Sequence, residues 1–283
     1  MGDPMKTFTA NKNTGFCCAA LLVAALAMPA SGFGQTQAPV DLLSTANFAL
    51  LGGSTIANIP TSVITGDVGV SPSAGSFISG FGMNEVTGTI YAVDASYPTA
   101  GVAVIDPARL TAAKGDLTLA YTDAAGRTPV PTGDFLNPGA GNLGGLTLVP
   151  GLYKFTGAAL ISGLDLVLTG GASEVWIFQI GSELTLADGI HVVLAGEAQA
   201  GNVFWQVGTS ATLGVGSVMQ GTILADQSIT LANGALLNGR ALASIAGVTL
   251  ESAVVTRPSL DNGNPTAVER TSWGGVKEEG LSR

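Results

Sequence analysis

Charge is scarce in this chain. Asp, Glu, Lys and Arg together make up 11% of its 283 residues, and 20 acidic against 11 basic side chains give a net charge of −9. Phosphate-backbone binding relies on clustered Lys and Arg, so nucleic acid is excluded as a partner. The single histidine, His191, cannot build a Ser-His-Asp arrangement or a two-histidine metal site, and reads as a solvated strand residue. The stretch nearest to a nucleophile elbow, Gly208-Thr209-Ser210-Ala211-Thr212, lacks the closing Gly. Asp67, Asp116, Asp188 and Asp226 stand near corners without the spacing of a carboxylate pair or a calcium loop, so capping and turn roles are expected of them. No catalytic activity, cofactor or metal is predicted.

Cysteine is nearly absent too. Cys17 and Cys18 both lie in the apolar run from Phe16 to Ala27, which follows Lys6 and Lys12 and precedes Pro29, Ala30, Ser31, Gly32 and Gly34. That is the charged, apolar, small-residue order of a secretory signal, and the run is short for a bilayer span. Cleavage between Ala27 and Gln35 would remove both cysteines and leave a mature chain without disulfides. The expected organisation is a signal over 1–34, one domain over 35–260 and a tail over 261–283. The tail begins after Arg257-Pro258, shows no sustained periodicity, is expected to be mobile, and carries Trp273 as an exposed apolar residue. The product is predicted to be a secreted monomer, extracellular or periplasmic, with no membrane partner in its mature form.

What the chain has in quantity is glycine, 40 residues, and apolar side chains, 46%, with a mean hydropathy of +0.44. A short phrase recurs among them: Leu184-Thr185-Leu186, Ala211-Thr212-Leu213, Ile229-Thr230-Leu231 and Val248-Thr249-Leu250. Successive copies begin 27, 18 and 19 residues apart, and the first three reach a Gly three residues after the Leu. That is the scale of one solenoid turn, with glycine at corners where the backbone bends sharply. Side chains alternate along a strand, so the residues flanking each Thr point inward and stack. Glu183 and Thr185, Ser210 and Thr212, Ser228 and Thr230, and Gly247 and Thr249 then form an outward ladder.

One helix is predicted. Asp106 caps Pro107 at its first position, Leu110, Ala113, Leu117, Ala120, Tyr121 and Ala124 form one apolar stripe, and Gly126 is expected to supply a left-handed stop. The stripe needs a flat partner, and one side of the solenoid is the available one. Trp176, Phe178 and Trp205 are expected to pack inward or under this helix rather than form a sugar-stacking platform. The corners Thr65-Gly66-Asp67-Val68, Thr87-Gly88-Thr89-Ile90, Gln220-Gly221-Thr222-Ile223 and Asn238-Gly239-Arg240-Ala241 share a pattern. It suggests that early and late coils meet out of sequence order.

Several of these phrases carry a resemblance. Ser54-Thr-Ile, Ile64-Thr-Gly-Asp-Val-Gly-Val-Ser-Pro, the helix from Leu110 to Arg127, Leu148-Val-Pro-Gly-Leu-Tyr, Asn202-Val-Phe-Trp-Gln-Val-Gly-Thr-Ser-Ala-Thr-Leu-Gly and Gly221-Thr-Ile-Leu-Ala are similar to the microbial ice-binding protein family. The similarity runs from about Pro39 to Pro258. It implies a mainly β fold: a discontinuous, right-handed parallel β-helix of triangular section with one long α-helix alongside. It also implies secretion, no enzymatic activity in many members, and an ice crystal surface as partner. Motifs of the Thr-small-x-Thr type are associated with ice contact in that family, and Thr209-Ser210-Ala211-Thr212 approximates one. The expected ice-binding residues are therefore Thr185, Thr209, Ser210, Thr212, Ser228, Thr230 and Thr249, giving thermal hysteresis and inhibition of ice recrystallisation.

The same ladder admits other readings. Thr is a good strand former, so the row could reflect propensity alone. Glu183 and Gly247 interrupt the grid, and the strand from Thr222 to Ala225 offers a competing outward set. A β-helical polysaccharide-active enzyme would need clustered Asp, Arg and Lys, whereas the coils hold few bases, notably Lys154 and Arg240. A surface adhesin is the remaining alternative.

Overall fold

A computed structural model describes Gly2 and residues 36–258 except Met83 and Ala100. The apolar run with Cys17 and Cys18, and the segment from Asp261 with Trp273, lie outside the described residues. Within them, the chain winds as a parallel β-helix with three faces and one long helix against the first. Every strand pair is parallel, as winding rather than hairpin folding requires.

The first face, which the helix covers, runs in the spatial order Gly151–Phe155, Trp176–Ile180, Val203–Val207, Val218–Ala225, Leu236–Ala243, Phe48–Gly52, Asp67–Val70, Ile90–Ala92, Val104–Ile105. The second runs Ala159–Ile161, Leu184–Leu186, Ala211–Leu213, Ile229–Leu231, Val248–Glu251, Ile56–Ile59, Ile78–Ser79. The third joins the early halves of the two eight-residue strands to Val254–Thr256, Val63–Thr65 and Val86–Thr87. Its other part is a separate three-stranded sheet of Val192–Gly196, Leu166–Gly170 and Thr147–Leu148.

Late coils therefore meet early ones on all three faces: Ala241 pairs with Leu50, Val248 with Ile56, and Val254 with Val63. The shared glycine corners align where this happens, with Gln220 opposite Asn238, Asn238 opposite Thr256, Thr256 opposite Thr65, and Thr65 opposite Thr87. Glycine is needed there because coils approach backbone to backbone. A Cβ built on Gly239 would lie 1.8 Å from the Gly221 carbonyl oxygen.

The inward pairs stack as the alternation predicts. Leu184, Leu186, Leu213, Ile229, Leu231, Val248 and Leu250 are fully buried, as Ala211 nearly is. On the first face the register lines up Tyr153, Phe178, Trp205, Ile223, Ala241, Leu50, Val68 and Ile90, all buried. Its aromatic end continues to Phe135, with ring centroids 4.8, 5.2 and 3.9 Å apart, so these rings fill the core and offer no sugar platform.

The helix, Pro107–Gly126, starts as read from the sequence: the Arg109 amide donates to the Asp106 carboxylate at 2.9 Å. Leu110, Ala113, Leu117, Ala120 and Ala124 pack on Phe48, Leu51, Leu152, Ile177, Phe204, Leu224 and Leu242. From Leu110 over Gly69 to Ala124 over Gln179 the helix rises about 21 Å, and the five coil steps beneath it span about 24 Å, so it lies along the solenoid axis. Its end differs from expectation. Gly126 is not left-handed; the chain leaves through an extended Arg127, and Gln179 Nε2 donates to the carbonyls of Ala124, Ala125 and Arg127 at 3.0, 3.0 and 3.2 Å. A strand side chain satisfies the orphan carbonyls that a glycine turn would otherwise have served.

Lys114 ties the helix middle down, its Nζ donating to the carbonyls of Ala243 and Ser244 at 2.9 and 2.6 Å. Burial lowers this ammonium from 10.5 to about 8. Below pH 8 both folded and unfolded chains hold the proton and the burial cost acts in full. Between about 8 and 10.5 only the unfolded chain retains it, so this group's contribution to stability rises with pH. Melting temperatures of the wild type minus those of Lys114→Met should climb across that window and stay level below it. Separately, Leu213→Ala should cost about 2 to 5 kcal/mol in denaturant unfolding, since a fully buried leucine leaves a cavity in a stacked column.

Candidate functional site

The second face carries the threonines. Thr185 pairs with Thr212, Thr212 with Thr230 and Thr230 with Thr249, so four copies separated in sequence stand side by side. The column is longer than the repeat indicates. Leu160 precedes Thr185, and Ala57 and Ser79 follow Thr249. None of the six strand pairs of this face carries a register shift, so it has no bulge to curve it.

A second column lies one step before each strand. Amide donation from Ala159 to Glu183, Leu184 to Ser210, Ala211 to Ser228, Ile229 to Gly247 and Val248 to Thr55 aligns Glu183, Ser210, Ser228, Gly247 and Thr55. The Ser210 and Ser228 hydroxyls are 2.9 Å apart and hydrogen-bonded to each other across the coils. Thr209 is exposed one residue further out, its backbone tied to Ser182 and Gln227. The structure thus brings six of the sequence-predicted residues, Thr185, Ser210, Thr212, Ser228, Thr230 and Thr249, into two columns of one face, with Thr209 exposed in the bend leading to it.

Two sequence expectations change. Gly247 leaves no gap, because a Cβ there would lie 2.3 Å from the Thr55 methyl and 2.6 Å from the Thr55 carbonyl oxygen. The neighbouring coil's threonine occupies that space, with its hydroxyl donating to the Phe77 carbonyl at 2.9 Å. The strand from Thr222 to Ala225 is no competitor, for its outward residues lie under the helix layer: Thr222 accepts from the buried Arg240, and Leu224 packs in the helix cluster. Sequence reasoning missed Thr55, Ala57 and Ser79 as members of this face. The phrase Ser54-Thr-Ile contains the first of them, but only the out-of-order coil pairing places all three there.

The remaining open face is less regular. Thr256, Thr65 and Thr87 align on it, yet its two sheets meet only through the isolated bridge between His191 and Val218. His191 Nδ1 is 3.4 Å from the Asp165 carboxylate there, both half-exposed. Among the described residues no three or more of His, Cys, Asp and Glu cluster as metal ligands would, and no helix is long and apolar enough to cross a membrane. The aspartates mostly hold backbone. Asp67 accepts from the Thr89 amide and pairs with Arg109 at 3.4 Å, Asp188 accepts from Val215, and Asp116 from Ser44.

This geometry defines a β-helix with one face covered by a helix and another bearing an aligned column of hydroxyl side chains. A family model described as ice-binding-like matches residues 50–256, and the chain belongs to that family. It is 45% identical over 225 residues to an ice-binding protein of Flavobacterium frigoris (strain PS1), covering 80% of this chain and 79% of that one. It is 41% identical over 250 residues to an ice-binding protein of Leucosporidium sp. (strain AY30), covering 84% and 90%. The crystal structure of a glycosylated ice-binding protein from an Arctic yeast superposes with a TM-score of 0.72 at 40% identity, covering 82% of this chain and all of that one.

Gly247→Ala tests how the two coils meet on this face. The added methyl displaces Thr55 and its backbone, so denaturant unfolding should show clear destabilisation, in contrast to exposed Thr212→Ser, which should stay within about 0.5 kcal/mol of wild type.

Proposed function

We propose that this protein binds ice through the second face, with Thr185, Thr209, Ser210, Thr212, Ser228, Thr230 and Thr249 as contact residues and Thr55 completing the grid. The observation that carries this is the unbroken register from Thr185 to Thr249 on a face without a register shift. Outward residues two apart on a strand are spaced by about 6.6 to 6.8 Å, and coils repeat about every 4.7 to 4.9 Å. A surface of that regularity can hold water in an ordered layer across many weak contacts at once. Thr suits it, because β-branching limits its rotamers while hydroxyl and methyl are presented together. Pre-set geometry lowers the entropy cost of adsorption.

A polysaccharide-active enzyme is the weaker reading. The second face presents no basic side chain among its described positions, and Arg240, one of the few bases on the coils, is buried against the Ala46 carbonyl and Thr222. The proposal includes export, with residues 1–34 removed as a signal, and a monomer in solution. N-terminal sequencing of the secreted product and its sedimentation would check these two points.

Purified mature protein should show thermal hysteresis and faceted ice growth, with no release of sugars from polysaccharides. Thr212→Tyr and Thr230→Tyr should each cut the hysteresis sharply while moving the melting temperature little, since Thr212 is exposed and Thr230 only half-buried. Full activity in both variants would put the contact surface elsewhere.

A further inference from the structure

Two carboxylates stand on the second face, one in each of the outward columns that flank the threonine column. Glu183 is exposed in the column that continues as Ser210, Ser228, Gly247 and Thr55. Glu251 shares the outward parity of Thr249 and lies between Ala232 and Ile59 in the column that runs through Ala187, Gly214 and Ala232. They are the only charged side chains among the described residues aligned in the rows 55–59, 183–187, 210–214, 228–232 and 247–251. Neither carboxylate makes an ion pair among the described residues.

We propose that Glu183 and Glu251, flanking the threonine column, hold adsorption to ice below what the hydroxyl grid would give alone. This rests on the reading of the second face as the ice-contact surface. A carboxylate orders water radially around its charge, and stripping that shell is costly unless the charge is otherwise paired. Ice offers no compensating cation. Each Glu therefore keeps liquid-like water around its own charge and narrows the ordered layer beside it, Glu183 next to Thr185 and Glu251 next to Thr249. The columns themselves say what an uninterrupted face would carry: serine at 183, beside Ser210, and alanine at 251, beside Ala232.

Thermal hysteresis measured at equal protein concentration tests this with Glu183→Ser, Glu251→Ala, the double variant, the near-isosteric Glu183→Gln, and Glu197→Gln as an exposed control in the loop after the third-face strand Val192–Gly196. Both single variants should raise hysteresis beyond the scatter of wild-type preparations, the double variant should exceed either, and Glu183→Gln should match Glu183→Ser. Glu197→Gln should leave it at the wild-type value. An active wild type whose Glu183→Ser and Glu251→Ala variants show unchanged or lower hysteresis would overturn the proposal alone. So would a gain with Ser but none with Gln, which would make size the cause, or an equal gain from Glu197→Gln, which would make it net charge. A wild type without hysteresis would instead remove the ice-contact reading itself, before any variant is compared.

Discussion

Everything in this molecule depends on coils stacking in register, and the inward pairs enforce that register. Each turn of the second face contributes two apolar side chains to the interior, as in Leu184 with Leu186 or Ile229 with Leu231, and these touch the corresponding pair above and below. A slip of one residue would carry the leucines to solvent and the threonines into the core. The outward columns inherit their alignment from that penalty. The hydroxyl grid is thus held in place by burial of other residues, which is why a surface of weakly interacting side chains can be regular at all.

The long helix closes what would otherwise be a third exposed face. The sheet beneath it presents Phe204, Leu224, Leu242 and Leu51 outward, and the helix stripe buries them. Its ties are spread along its length: Asp67 with Arg109 near the start, Lys114 on the carbonyls of Ala243 and Ser244, Tyr121 with Gln206, and Gln179 at the end. These partners lie on strands from both sides of the helix in sequence. The helix therefore fastens early coils to late ones, as well as covering them.

The repeat at Leu184, Ala211, Ile229 and Val248 made the winding, the inward pairs and four threonines of the face legible in the sequence, because period-two alternation is a local signal. The helix start was equally local, since Asp106 and Pro107 are adjacent. What escaped depends on residues distant in sequence. Gln179 ends the helix more than fifty positions after it, where only tertiary contact could replace the left-handed turn expected at Gly126. Burial of Thr222 follows from where the helix lies and not from its strand's own pattern. Ala57 and Ser79 join the column only because a coil near the start of the domain docks on one near its end. Their own residues do not repeat the apolar-Thr-Leu phrase.

That docking falls within the proposed contact face, where Val248 meets Ile56 and chain order jumps by almost two hundred residues. A junction between non-consecutive coils is where a solenoid is most exposed to a step or a gap, and a step here would split the grid. Three features prevent it. Strand pairing continues across the junction from Val248 with Ile56 to Glu251 with Ile59 without a shift. The Val248 amide donates to the Thr55 carbonyl, extending the ladder before the strands begin. Glycine at 247 then admits the Thr55 methyl into the place its own side chain would fill. Read from the sequence alone, Gly247 is a missing tooth in the ladder. In the folded chain its bareness is what lets the opposing coil approach closely enough for the threonine face to run on past the end of its own repeat.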